Sequence, residues 1–442
     1  MKTLITNAIV VPMTTAEEHW FTGSVGIEDG KIAFVANDDR PEELKRVQRF
    51  KDEAGTNLNE IDGRGKLVMP GLVNTHTHVS MTLLRNLADD LPLMTWLTER
   101  VWPFEAHMGA EEVAVGARLG MAEMLLGGTT TLVDMYWHEA AVARAARETG
   151  IRAVLCPSFV DGPRMEEFER DLVETLAEAE GCDRLSVRIA PHAAYTCSAE
   201  NLRRAVELAR RHNIGIHTHV SETTDEQRIV SEQYGCTPTE YLRDAGLFDV
   251  PAMAAHCVWL SESDMDIMLS HGVAVVHNPQ SNMKLASGAA PIAKMLARGL
   301  TVSIGTDGAS SNNDLDMWDE MRSASFLGKL TALNTSVLPA YEILRMATVN
   351  GARAIGMEGS LGVVAEGALA DLVILDVEKP HWSPRANIVS ALVYSAKASD
   401  VDTVIVGGEV VVSGGRLVTG DVGVFISAAE AVQLKISCAL KH

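Results

Sequence analysis

From Lys66 to Ala309 the chain repeats one pattern: an apolar run, a short polar stretch, then a segment with helical spacing. The runs are KLVMPGLVNTHTH, TTTLVDM, IRAVLCPSFV, LSVRIAPHAAY, NIGIHTHVSE, PAMAAHCVWL, GVAVVHNP and LTVSIGTDGA. Segments such as GAEEVAVGARLGMAEMLLGG, HEAAVARAARETG, SAENLRRAVELARRHN and SESDMDIMLSHG separate them. Gly150 is placed to stop a helix, and Ser198 and Ser261 to cap two. Strands alternating with helices make a parallel sheet, either closed into a (β/α)8 barrel or open and doubly wound. Metal-binding residue types decide between them, because they close the runs: His76 and His78, Asp134, His192, His219 with Glu222, His256, His277 and Asp307. A barrel gathers the C-terminal ends of its strands around one mouth, whereas an open sheet spreads them along a line. No glycine-rich phosphate loop favours the open sheet. The expected fold is α/β, a (β/α)8 TIM barrel over residues 69–359.

The two ends read differently. LITNAIVV and SVGIEDGKIAFV near the start, and DLVILDV, TVIVGGEVVV and GGRLV near the end, are short β-rich runs with hairpin punctuation. Residues 1–68 and 360–442 are expected to build one small β-sandwich; likeness of style joins them, not periodicity. Lys plus Arg number 38 against 59 Asp plus Glu, a formal net charge of −21. Such a chain has little with which to neutralise a phosphate backbone, so nucleic acid is not an expected partner. No polybasic run addresses an anionic membrane, and no stretch of roughly 18 apolar residues reads as a span. MKTLITNAIVVPM reads as a strand rather than a signal peptide. Cys156, Cys182, Cys197, Cys236, Cys257 and Cys438 show no paired spacing, which suits a reducing cytoplasm.

His76 and His78 stand two apart on a strand and so face the same side, where both imidazoles can reach one ion. Taken alone, two such histidines can equally be hydrogen-bonded core. His219 ends the fifth run with Glu222 three residues on, and His217 lies one layer deeper as a core histidine. A carboxylate beside a metal, not needed as a ligand, is what a zinc hydrolase uses to carry protons. His256 sits among apolar neighbours, with Cys257 packed on the other face. Asp307 can be an ordinary turn residue ahead of GASSNND, and Asp134 a structural strand-end group. As a set, three histidines and an aspartate from strands one, five and eight, with Glu222 and His256 beside them, make a mononuclear zinc site with a position open to water.

In PGLVNTHTH, HTHVSET, MAAHCVWL and IGTDGASSNNDLDMW the chain resembles the amidohydrolase superfamily, over almost its whole length. DDLPLMTWLTERVWPFEA and NPQSNMKLASGAAPI resemble the 5-methylthioadenosine/S-adenosylhomocysteine deaminases within it. The fourth strand ends in PHAAYTC without the lysine of binuclear members, which matches the mononuclear subtype. The resemblance implies His76, His78, His219 and Asp307 as ligands of one zinc ion per chain, with iron or manganese as alternatives. It implies Glu222, His256 and Asp307 as catalytic groups. It also implies Glu105 on the ribose hydroxyls, His192 on the nucleoside, Trp96 in the pocket wall, and Arg164 on the carboxylate of S-adenosylhomocysteine. A second arginine that some members carry is replaced here by Pro157, which speaks for methylthioadenosine or adenosine over S-adenosylhomocysteine.

The function expected is zinc-dependent hydrolytic deamination of an adenine nucleoside to the inosine-type product and ammonia. The partner is a small-molecule nucleoside, with neither nucleic acid nor membrane, and a homo-oligomer is compatible with it. Guanine or pterin deamination and triazine dechlorination use the same ligand set. A substrate without a sugar has no use for Glu105, so that residue discriminates among them. A barrel holding zinc only structurally would have a closed site with four protein ligands, and Glu222 and His256 argue against it.

Overall fold

The structure is a computed structural model that describes residues 2–87, 89–91, 93–162 and 165–440. Its centre is an 8-stranded parallel sheet whose strands follow one another in chain order. Five strands of the other sheet come first: β1 (Lys2–Val10), β2 (Phe21–Glu28), β3 (Lys31–Asn37), β4 (Leu58–Asp62) and β5 (Lys66–Pro70). The barrel strands are β6 (Leu72–Thr77), β7 (Thr129–Tyr136), β8 (Arg152–Phe159), β9 (Leu185–Pro191), β10 (Gly215–Val220), β11 (Ala252–His256), β12 (Ala274–His277) and β13 (Val302–Ile304). All of β6, β7, β8, β10 and β11 is buried, as a sheet covered on both faces requires.

The ring closes between its first and last strands. Asp307 N donates to His76 O at 3.0 Å, Thr75 Oγ1 to Ile304 O at 2.8 Å, and Asn74 Nδ2 to Thr306 Oγ1 at 2.7 Å. This seam runs so close that a Cβ on Gly305 would lie 2.6 Å from His76 N; only glycine lets the last strand reach the first ligand candidate. The expected caps are present. Gly150 ends the helix Glu139–Thr149 at φ 81°, and the Ser198 and Ser261 hydroxyls accept from Asn201 N and Asp264 N.

The ends of the chain share a second, 9-stranded mixed sheet. It adds β14 (Leu372–Asp376), β15 (Val401–Val406), β16 (Glu409–Ser413) and β17 (Arg416–Leu417). Its order is β17-β16-β15-β14-β5-β1-β2-β3, with β4 also on β1. The halves meet where β5 pairs antiparallel with β14, from Pro70 opposite Leu372 to Lys66 opposite Asp376. Val10, Val25, Val68, Leu372, Ile374 and Ile405 pack into its buried core. The run KLVMPGLVNTHTH thus serves both sheets, changing over at Gly71, where a Cβ would meet the Thr130 hydroxyl at 2.1 Å. One element was not expected as a candidate span: the helix Val422–Ala439 is long and apolar enough to cross a membrane, with mean hydropathy 1.4. Glu430 and Lys435 interrupt it, and it rests on the barrel through Lys435 to Glu112 at 2.9 Å and Gln433 Nε2 to Leu83 O at 3.3 Å.

Candidate active site

The strand ends converge as the sequence implies. The His76 ring centroid lies 4.9 Å from that of His78, 5.0 Å from His219 and 5.5 Å from His256. Each ring is oriented through Nδ1. His78 Nδ1 lies 2.5 Å from Met135 O, and His219 Nδ1 lies 2.7 Å from His192 O. A carbonyl only accepts, so both Nδ1 atoms carry hydrogen and each ring turns its Nε2 into the mouth. His76 Nδ1 meets His217 Nε2 at 2.8 Å, so the deeper histidine acts as an orienting partner. His256 Nδ1 meets Asn282 Oδ1 at 2.9 Å.

Asp307 faces these rings, its Oδ1 3.4 Å from His76 Nε2 and 3.2 Å from His78 Nε2. Its Oδ2 accepts from Ser281 Oγ at 2.6 Å and Ser311 Oγ at 2.9 Å. Both His256 and Asp307 adopt left-handed backbone, φ 70° and φ 63°, where residues with a Cβ are uncommon outside constrained sites. β11 ends at His256, and β13 ends three residues before Asp307; both side chains line the mouth.

The residues fit a divalent metal. The ligating atoms of His76, His78 and His219 lie within 4.8 Å of one another, as do those of His76, His256 and Asp307. His76 Nε2 is buried with no hydrogen-bond partner, a costly state for a ring nitrogen that a cation would relieve. Burial pushes His76 and His192 down to about 4 and holds His219 well below its usual range, so these imidazoles are neutral and able to ligate. At His78 burial also opposes protonation, but the Asp307 carboxylate outweighs it and raises the ring to about 9. Burial would raise Asp307, yet its contacts with His76 and His78 hold it well below the usual carboxylate value. A proton on His78 and a metal ion therefore compete for the same pair of side chains.

Glu222 lies outside both triads, with Oε2 3.9 Å from His256 Nε2 and Oε1 3.3 Å from Ser287 Oγ. Burial raises its carboxyl above the usual value. His78, His192, His219, Glu222, His256 and Asp307 line one cavity of about 480 Å³, together with Trp96, Glu105 and Tyr136. That size suits a small organic ligand. Glu105, far from the histidines in sequence, is held there by Tyr136, whose hydroxyl donates to Oε1 at 2.6 Å. Asp134 stands behind this layer, accepting Val79 N at 2.6 Å. His277 is buried at the end of β12 outside the lining. Arg164 lies outside the described residues. Sequence reasoning assigned no role to Tyr136, Ser281, Asn282 or Ser287. The signal for three of them was at hand in NPQSNMKLAS, where Ser281, Asn282 and Ser287 closely follow a barrel strand.

Residues 67–411 match the amidohydrolase family. The 5'-deoxyadenosine deaminase of Methanothermobacter thermautotrophicus is 44% identical over 420 residues, 94% of this chain and 95% of that protein. The 5-methylthioadenosine/S-adenosylhomocysteine deaminase of Desulfitobacterium hafniense is 45% identical over 426 residues, 96% of each chain. Among solved structures, an adenosine deaminase from Xanthomonas campestris with bound zinc superposes with a TM-score of 0.92 at 34% identity, covering 99% of this chain and 98% of that one.

Proposed function

Since the chain belongs to the amidohydrolase family, we propose that it hydrolyses the 6-amino group of an adenine nucleoside, giving the hypoxanthine nucleoside and ammonia. The substrates are 5'-substituted or 5'-deoxygenated adenosines such as methylthioadenosine, with S-adenosylhomocysteine and adenosine in the same class. The observation that carries the reading is Glu222. It is a half-buried carboxylate outside the candidate ligand triads, in the same cavity as His256 and Asp307 and with Glu105 in the wall.

His76, His78, His219 and Asp307 would hold one zinc ion, which when bound supplies Lewis acidity that brings the pKa of a water toward about 7. Glu222 takes a proton from the attacking water and delivers it to ring N1, which makes C6 electrophilic. Burial raises its carboxyl above the usual value, a direction that favours carrying the proton. His256 and Asp307 face the reacting carbon and hold the incoming oxygen in line. Asp307 or Glu222 then takes the remaining proton of the hydroxyl added at C6 and passes it to the departing amine, so that ammonia leaves and the C6 oxygen remains. Glu105 takes the ribose hydroxyls, His192 the purine edge, and Trp96 lies against the nucleoside. Arg164 is assigned to the carboxylate of S-adenosylhomocysteine. The free state of all six cysteines supports a cytoplasmic setting.

Ammonia release from zinc-loaded protein tests the reading on methylthioadenosine, 5'-deoxyadenosine, S-adenosylhomocysteine, adenosine and guanine, with chloride release measured for a chlorotriazine. Turnover confined to the adenine nucleosides is expected, and turnover of guanine alone would overturn it. Glu222→Gln is expected to retain metal while kcat falls roughly 10²- to 10⁴-fold. Near-normal turnover in that variant would remove Glu222 as the proton carrier.

A further inference from the structure

The segment after β12 reaches every proton-handling group of the site. Asn278 bridges two strand ends, accepting His256 N on Oδ1 at 3.3 Å and donating Nδ2 to Gly305 O at 2.9 Å. One turn on, Ser281 Oγ donates to Asp307 Oδ2 at 2.6 Å. Asn282 Oδ1 faces His256 Nδ1 at 2.9 Å, and Ser287 Oγ reaches Glu222 at 3.3 Å. Asn278, Ser281 and Asn282 are all fully buried. Asn282 Nδ2 has no hydrogen-bond partner, so this amide is not kept by satisfying its own donors. It is retained at the cost of a buried unpaired N–H.

We propose that Ser281 and Asn282 are positioning residues with separate tasks, Ser281 for the metal ligand Asp307 and Asn282 for His256. This rests on the function proposed above. Asp307 sits at left-handed φ past the end of its strand, so the sheet does not fix its carboxylate. Ser281 and Ser311 both bind Oδ2, which leaves Oδ1 as the oxygen that faces His76 and His78. Asn282 Oδ1 can only accept, so it keeps hydrogen on His256 Nδ1. The Nε2 lone pair is thereby presented to the cavity and to Glu222. Two neighbouring residues on one short helix, Pro279–Lys284, thus set the ligand oxygen and the tautomer of the adjacent histidine.

The two tasks separate in experiment. In Ser281→Ala, zinc affinity by chelator competition is expected to fall roughly 10- to 100-fold, with an unchanged circular dichroism spectrum. An affinity within about twofold of the parent would overturn the role of Ser281, and this readout needs no substrate. In Asn282→Leu, zinc affinity is expected to stay within about twofold while kcat falls roughly 10- to 100-fold and KM moves less than about threefold. Asn282→Asp, which restores an acceptor, should recover most of kcat. Loss of zinc affinity in Asn282→Leu equal to that in Ser281→Ala would overturn the division, making His256 a ligand instead. Should the leucine variant not fold, Asn282→Ala, which also removes the acceptor, carries the same reading. The ¹⁵N spectrum of histidine-labelled, zinc-loaded parent should show His256 protonated at Nδ1. Protonation at Nε2 alone would overturn the tautomer assignment even if the substrate proves to be another compound.

Discussion

Tyr136 ends β7 with its hydroxyl on Glu105 and its ring buried. Burial, then the Glu105 charge, raises the phenol well above its usual range, so it stays a donor at every accessible pH. Tyr136→Phe is expected to remove the phenol hydrogen bond that helps aim the Glu105 carboxylate. KM for a ribonucleoside should rise about five- to tenfold, equal to about 1–1.4 kcal/mol, with kcat changed less than about twofold. A 2',3'-dideoxy substrate should be indifferent to the change, and an equal loss there would separate Glu105 from sugar recognition. Residues of this kind show why the site was only half legible in the sequence. His76, His78, His219, His256 and Asp307 announce themselves as polar groups closing apolar runs. Their orienting partners do not: Met135 O and His192 O are backbone atoms, and Ser281 and Asn282 stand in a stretch, NPQSN, that chemistry reads first as a turn.

Among the elements, the helix Met317–Ala332 braces the loop beyond β13. Its Glu320 is fully buried, taking hydrogen bonds from Gln280 N and Asn312 Nδ2. Burial holds this carboxyl well above its usual range. In the unfolded chain it ionises near about 4.3, so above that pH the unfolded state binds fewer protons than the folded one. Stability from this residue is therefore complete below the unfolded value and is lost as pH rises toward the folded one. Glu320→Gln should be more favourable relative to the parent at pH 8 than at pH 5 in urea unfolding. An identical difference at both pH values would show that Glu320 is ionised in the fold. Most elements could be read in advance because period, caps and punctuation are local. The division of KLVMPGLVNTHTH at Gly71 could not, since what demands it is a neighbour distant in sequence, the Thr130 side chain.

At the scale of the whole molecule, the barrel and the 9-stranded sheet are joined by a buried ion pair. Arg152 at the start of β8 meets Asp371 beside β14 through Nε at 2.8 Å and Nη2 at 3.0 Å, with exposures of 3% and 0%. Asp371 also accepts Gly407 N at 2.8 Å. Removing one partner strands a buried charge, so Asp371→Ala is expected to cost about 3–5 kcal/mol in denaturant unfolding. The apolar pair Arg152→Met with Asp371→Leu should recover much of that loss. A single variant costing under about 1 kcal/mol would show that water reaches the guanidinium. Style alone linked the two ends of the sequence, because no local pattern records which distant strand β5 will choose. That choice has a consequence during synthesis. A ribosome releases β5 first, every barrel strand next, and β14 only afterwards. Until then β5 offers an open edge to any passing strand, and nascent copies crowded on one messenger are natural clients for a chaperone.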